Sequence, residues 1–277
     1  MKIKKIIKNF LPPIIHQLLV KKIKIRHIKR YKNFKEALID SSLGGYETED
    51  LITVVVEKNK KFRDELVISR SFDLGSLRTL IGIGLCGIKK NLNVLDYGGG
   101  GGYHYQIAKL ALGEDIELNW CVVETQAMAL LAQQNLSSTK LSFCSSLNEA
   151  EKILGKIDLI FTSGTLHCTD DPIKNLSDLF ALRAPRLFIT RTCFNDKNMK
   201  EVFVQSSKLS HNGPGPLPSG FKDRDIFYPN VFVPISDIRK VIGDCGYKIR
   251  FEIIEDANAY QFGDRVFGMY GFFCDIN

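Results

Sequence analysis

The chain has 277 residues, 44% of them hydrophobic, enough to bury a core in one large domain or one domain with appendages, which excludes a disordered protein. Its net charge of +7 is concentrated in residues 1–30, which hold ten Lys or Arg and no acid and leave 28 basic against 31 acidic residues, a net of −3, for the remainder. A mildly acidic body argues against a nucleic-acid-binding face across it and assigns the high isoelectric point to the N-terminal segment.

Seven cysteines, an odd number with no C-x-x-C pair, argue against a structural metal such as zinc and against a disulfide framework, and they suit a reducing cytosol. No stretch reaches the ~18 apolar residues of a spanning helix. The N-terminus has neither the apolar region nor the small-residue cleavage site of a signal peptide. The expected location is therefore cytoplasmic.

Residues 1–35 form a basic amphipathic segment in which L-P-P-I at 11–14 interrupts any helix, so two short amphipathic helices separated by a kink are predicted. Such a segment suits peripheral attachment to the anionic inner face of the cytoplasmic membrane, at ~1 kcal/mol per Lys or Arg near the surface. A solvated helix on the domain, a disordered tail, or another partner for a basic helix are the alternatives. Residues 36–90 read as a helical cap, with a helical pattern at 34–40, a turn at 41–46 and helices over about 49–57 and 76–88; Arg70 and Asp73 lie within it.

From residue 91 the pattern alternates strand and helix over 91–277, the signature of a parallel sheet covered on both faces. Strands are predicted at 93–97, 118–123, 141–144, 157–162, 186–190, 247–254 and 265–274, with helices at 103–112, 126–134, 148–154 and 173–182. The connection at 255–263 is too short for a crossover helix, so the last two strands should pair antiparallel. The expected fold is α/β: a Rossmann-like seven-stranded sheet, mostly parallel with a C-terminal antiparallel pair, helices on both faces, and an N-terminal helical extension. The Pro- and Gly-rich stretch 195–235 is predicted to be a lid or acceptor-binding insertion.

The chemistry is expected at the carboxyl ends of the strands, where doubly wound sheets bind ligands. The first strand runs into Asp96 and five glycines, so a ligand can approach main chain at Gly98, Gly99 and Gly100, and Tyr103 opens the helix that follows. Glu124 ends the second strand, where a carboxylate can accept hydrogen bonds from both ribose hydroxyls. Ser145 and Ser146 follow the third strand, beside an adenine edge, and Ser163 and His167 follow the fourth, beside the reactive end of a cofactor. Asp96 either caps the glycine loop or reaches the cofactor; Glu124 is otherwise a surface acid at a strand end. The dinucleotide pattern G-x-G-x-x-G fails in every register, since its last position falls on Tyr103, His104 or Tyr105, and no phosphate-loop Gly-Lys-Ser/Thr follows.

The stretch 94–102, V-L-D-Y-G-G-G-G-G, resembles motif I of the class I S-adenosylmethionine-dependent methyltransferases. Glu124 matches the acid that superfamily places after its second strand, and 157–172, I-D-L-I-F-T-S-G-T-L-H-C-T-D-D-P, is similar to its fourth-strand motif. More narrowly, the chain is similar to an uncharacterised methyltransferase family of bacterial surface-polysaccharide gene clusters. The shared features are the basic N-terminus with Pro12 and Pro13, Gly45-Tyr46, Tyr105-Gln106, Gln205, Tyr228-Pro229 and Gly246-Tyr247. The resemblance implies an enzyme, a transferase with S-adenosyl-L-methionine as cofactor, bound through Asp96, Gly98, Gly99, Gly100, Tyr103, Glu124, Ser145 and Ser163. The catalytic acids and metal-ligand sets that mark some O-methyltransferases are absent.

A hydroxyl acceptor needs a base, and His167, His211 and Tyr228 are the candidates, the first by its place after the fourth strand and the others within the insertion. Arg224 is a further acceptor-binding candidate. Packing or loop roles are the competing reading for each. The expected function is methyl transfer to a hydroxyl or amine of a sugar or other precursor in surface-polysaccharide biosynthesis at the cytoplasmic membrane face. The alternatives are a catalytically silent scaffold of a glycan-assembly complex and an NAD-dependent sugar-modifying enzyme, the latter opposed by the failed fingerprint.

Overall fold

A computed structural model describes residues 29–41, 45–87 and 89–277. The two helices expected before residue 29, and their membrane role, lie outside the described residues.

Seven strands form the main sheet. They are β2 (Asn91–Tyr97), β3 (Glu117–Val123), β4 (Leu141–Cys144), β5 (Leu159–Ser163), β6 (Arg186–Phe194), β9 (Tyr247–Phe262) and β10 (Arg265–Ile276). Their order is β4-β3-β2-β5-β6-β10-β9, parallel except for β10, which runs antiparallel to both β6 and β9. This is the expected fold. The chain winds outward from β2 through β3 to β4, then returns to lay β5 on the other side of β2. The crevice at the carboxyl ends of β2 and β5 is thus the point where strand order reverses, and there a sheet of this kind binds its ligand.

Two apolar layers hold the helices to the sheet, because successive strand residues point to opposite faces. Leu95 and Ile160 join one buried cluster with α6 (Leu147–Leu154), α7 (Pro172–Ala181) and α8 (Ile235–Asp244). Their neighbours Val94, Leu159 and Phe161 join the other, with α2 (Glu49–Ser69), α3 (Leu77–Gly84), α4 (Tyr103–Leu112) and α5 (Gln126–Leu136). Burial on both faces explains why the central strands read as apolar runs rather than alternating ones.

The N-terminal helices are set into this frame. The short α1 (Phe34–Asp40) starts at Asn33, whose side chain accepts the Glu36 N–H at 2.9 Å. α2 runs to Ser69 rather than ending near residue 57, since no Gly or Pro stops it before Arg70 turns left-handed at φ 49°. It touches the sheet through Ile52, Val55 and Val56 while Leu51 and Val54 reach a separate cluster with Leu209, Ile226 and Tyr228. α3 is shorter than expected and ends at Gly84.

Two further corrections concern the C-terminal half. The insertion holds a hairpin of β7 (Glu201–Lys208) and β8 (Asp225–Phe232), which forms a three-stranded sheet with β1 (Arg30–Tyr31) in the order β1-β7-β8. Pro229 hid this strand; it is tolerated because β8 lies at the edge, opposite Val204. The connection between the last strands is not 255–263, because β9 continues to Phe262 and turns within two residues at Gly263, φ 62°. The extra length carries Phe262 and Phe267 onto Phe203 and Phe232, locking the small sheet to the large one.

Candidate functional site

The glycine loop after β2 is shaped by what lies against it. Asp96 is fully buried at the end of β2; its Oδ2 accepts the Trp120 indole N–H at 3.1 Å and lies 2.9 Å from His104 Nδ1. A Cβ on Gly99 would come within 2.3 Å of the same oxygen, so the loop can pass over the carboxylate only without a side chain. A Cβ on Gly101 would come within 2.5 Å of Asn59 Nδ2 on α2, whose side chain is itself held by a 2.8 Å bond to the Val55 carbonyl.

From the neighbouring strand, Glu124 Oε1 accepts the Gly100 N–H at 2.9 Å and Oε2 accepts the N–H of Thr125 at 3.1 Å. Burial raises its carboxyl above the usual range, against the pull of these two bonds. Each oxygen retains acceptor capacity for a ligand hydroxyl.

These residues wall a cleft of about 890 Å³ between the glycine loop, the tips of β3, β4 and β5, α2 and the segment 211–215. Gly98, Gly99, Gly100, Tyr103, Glu124, Ser145 and Ser163 all line it, so seven of the eight expected cofactor residues are brought together. Asp96 is the eighth and lies beneath the loop, with Oδ1 buried and without a hydrogen-bond partner; His104, which it holds, is on the wall. The Tyr103 hydroxyl reaches Asp73 Oδ1 at 3.2 Å and Ser76 Oγ at 3.1 Å. Burial opposes ionisation of Asp73, but the bonds from Ser76 and Tyr103 outweigh it and hold the carboxyl below its usual range.

The three candidate bases separate. His211 lines the cleft. It sits between two carbonyls, Ser210 and Asn212, that accept bonds of 2.9 and 2.8 Å from the ammonium of Lys58. His167 does not reach the cleft wall: it occupies a short 3-10 turn (Leu166–Cys168), buried, with its ring 6.4 Å from that of Phe232 and 5.9 Å from that of Tyr260. Burial, with the charge of Arg191 adding to it, pushes its pKa down to about 3, which leaves a neutral, weakly basic ring. Tyr228 is likewise behind the wall, its ring 4.4 Å from that of Tyr46, which does line the cleft. Burial pushes the Tyr228 phenol up to about 12. Arg224 is paired with Asp50 at 2.7 Å and is not part of the lining.

Lys58, Asn59, Arg78 and Arg191 were not expected here. The first two lie just past residue 57, where the predicted helix was expected to end, and nothing local marks them as the residues that meet the loops.

No protein-family model and no curated protein matches the chain. Among solved structures it is similar to an S-adenosylmethionine-dependent methyltransferase from Clostridium acetobutylicum ATCC 824, at 14% identity over 79% of this chain and 99% of that one, TM-score 0.47. It is similar to a SAM-dependent methyltransferase from Aquifex aeolicus at 18% identity, 74% and 94% coverage and TM-score 0.42. A third likeness is to magnesium protoporphyrin IX methyltransferase from Synechocystis PCC 6803 with bound SAM, at 16% identity, 84% and 87% coverage and TM-score 0.41.

Proposed function

We propose that the protein is an S-adenosylmethionine-dependent methyltransferase acting on a hydroxyl or amine of a sugar or other surface-polysaccharide precursor. The observation that carries the cofactor half is the bond from Gly100 N–H to Glu124 Oε1, which ties the glycine loop to the acid of the neighbouring strand at the reversal point of the sheet. The glycan half rests on the sequence resemblance.

The residues present fit the cofactor. Side chains are excluded above Asp96 and beside Asn59, main chain is open to a ligand, and Glu124 retains two acceptor sites for a vicinal diol. When bound, S-adenosylmethionine supplies an electrophilic methyl group on a sulfonium. Gly98 to Gly100 and Tyr103 would position it, Glu124 would hold the ribose, and Ser145 and Ser163 would contact its two ends. His211 would take the acceptor proton on an imidazole nitrogen, helped by Lys58, which fixes the backbone on both sides of it. The protein's contribution is alignment and one base, because the leaving group is already activated.

Calorimetry on the full chain with S-adenosylmethionine, S-adenosylhomocysteine and NAD tests this reading. Binding of the two sulfur ligands and not of NAD is expected; no binding of either would sink it. The withdrawal of His167 and Tyr228 from the cleft favours a second reading, a binding subunit without transferase activity. Incorporation of labelled methyl into extracts of the protein's own cell separates the two. Attachment to the membrane through residues 1–30 is tested by deleting them. Sedimentation with anionic liposomes should be lost and cofactor affinity kept.

A further inference from the structure

Arg191 sits on β6 where the strand departs from its register. β10 residues Tyr270 and Phe272 pair with Thr192 and Ile189, so Thr190 and Arg191 both lie opposite the single residue Gly271. Such a bulge re-aims a side chain. Arg191 adopts φ 53°, the left-handed region that a non-glycine residue enters only at a cost of about 1–3 kcal/mol.

Glu255 braces this conformation. Its Oε1 accepts the Arg191 N–H and the Thr190 hydroxyl, both at 2.6 Å, and its Oε2 pairs with Arg78. The carboxylate packs closely over Gly271, where a Cβ would lie 3.1 Å from the Ile189 carbonyl and 3.2 Å from Glu255 Oε1. Glu255 is therefore bound to the backbone of Arg191 while its charge is matched by Arg78. The Arg191 guanidinium itself lies over Gly164 at the tip of β5 and lines the cleft. Among the described residues no carboxylate comes within ion-pair distance of it. The two acids on the cleft wall, Asp73 and Glu124, are engaged by Ser76 and Tyr103 and by the N–H groups of Gly100 and Thr125.

A strained bulge, a buried acid spent on holding it, and an arginine delivered to the cleft without a counter-charge form a built anion site. We propose that Arg191 binds an anionic group, carboxylate or phosphate, on the methyl acceptor. The planar guanidinium grips either oxyanion through two parallel N–H bonds. This rests on reading the cleft as the S-adenosylmethionine site, and it narrows the acceptor class from a sugar or other precursor to one bearing a negative charge.

The test measures binding of benzoate, phenyl phosphate and neutral benzyl alcohol to the full chain, with and without saturating S-adenosylhomocysteine. At least one anion should bind and the neutral analogue should not, and comparing the two anions distinguishes a carboxylate from a phosphate acceptor. Arg191→Gln and Arg191→Gly should each weaken the bound anion by about ten-fold or more while leaving S-adenosylhomocysteine affinity unchanged. The glycine variant suits the left-handed backbone, so its loss of anion binding cannot be laid to misfolding. Anion affinity unchanged in both variants, or neither anion binding, would overturn the proposal. So would a parallel loss of S-adenosylhomocysteine affinity, which would assign Arg191 to the cofactor carboxylate instead. Anion binding through Arg191 in a protein that binds no S-adenosylhomocysteine would overturn the cofactor reading alone and leave the anion site standing.

Discussion

The ammonium of Lys58, buried in the middle of α2, donates a 2.8 Å hydrogen bond to the carbonyl of Asn212, 154 residues further along the chain. A second bond to Ser210 makes Lys58 a clamp on the segment that presents His211 to the cleft. Burial lowers the Lys58 pKa, while the charge of Asp223 opposes that shift and two carbonyls accept from the ammonium. Lys58→Met keeps the length and removes both bonds. It should destabilise the fold by about 1–3 kcal/mol in urea titration and expose residues 209–215 to protease. Resistance of that segment in the variant would show that other contacts hold it.

The contact between Asn59 and Gly101 makes a paired prediction. Gly101→Ala places a methyl against the whole Asn59 side chain, since Cγ and Cβ lie within 2.6 and 2.8 Å of it, and rotation of the amide alone cannot relieve the clash. A cost of about 1–3 kcal/mol is expected, together with weaker S-adenosylhomocysteine binding as the glycine loop shifts. Asn59→Ala combined with Gly101→Ala should recover most of both, as a double-mutant cycle would reveal.

His167 gives the stability a pH dependence of known sign. Its folded pKa of about 3 lies below the ordinary histidine value of 6.5, so the unfolded chain binds the extra proton between these values. The stability is complete above pH 6.5 and falls as the pH drops towards 3, by about 1.4 kcal/mol per unit. His167→Phe, entering an aromatic neighbourhood, should remove one proton's worth of that slope in urea titrations at stepped pH. If His167 is a base in spite of its position, the same variant would lose methyl transfer; retention of transfer is expected.

Glu124 has the opposite sign. Its folded pKa is raised, so the folded state holds the proton more tightly. The associated stability is present below the unfolded value of 4.5 and is lost as the pH rises through the folded value. Glu124→Gln should therefore not reduce stability at neutral pH, although it should weaken S-adenosylhomocysteine by about ten-fold or more, because a carboxylate accepts from a diol more strongly than an amide does. Unchanged affinity would remove Glu124 from the site.

The central strands, the glycine loop and Glu124 were legible because each is written locally. Apolar runs of strand length, consecutive glycines and an acid directly after a strand need no knowledge of distant residues, and the parallel pairing follows from their alternation with helices. The tertiary structure alone decided which side chains meet the loop. Asn59 faces Gly101, Lys58 holds both sides of His211, and Glu255 braces Arg191, each across more than forty residues of chain and none with a periodic signature. The hairpin of β7 and β8 was hidden for a related reason, since Pro229 speaks against a strand until its edge position is known. His167 and Tyr228 show the converse, for a place in sequence after a strand does not say whether a side chain turns toward the cleft or the core. Burial decided that, and it drew both behind the wall.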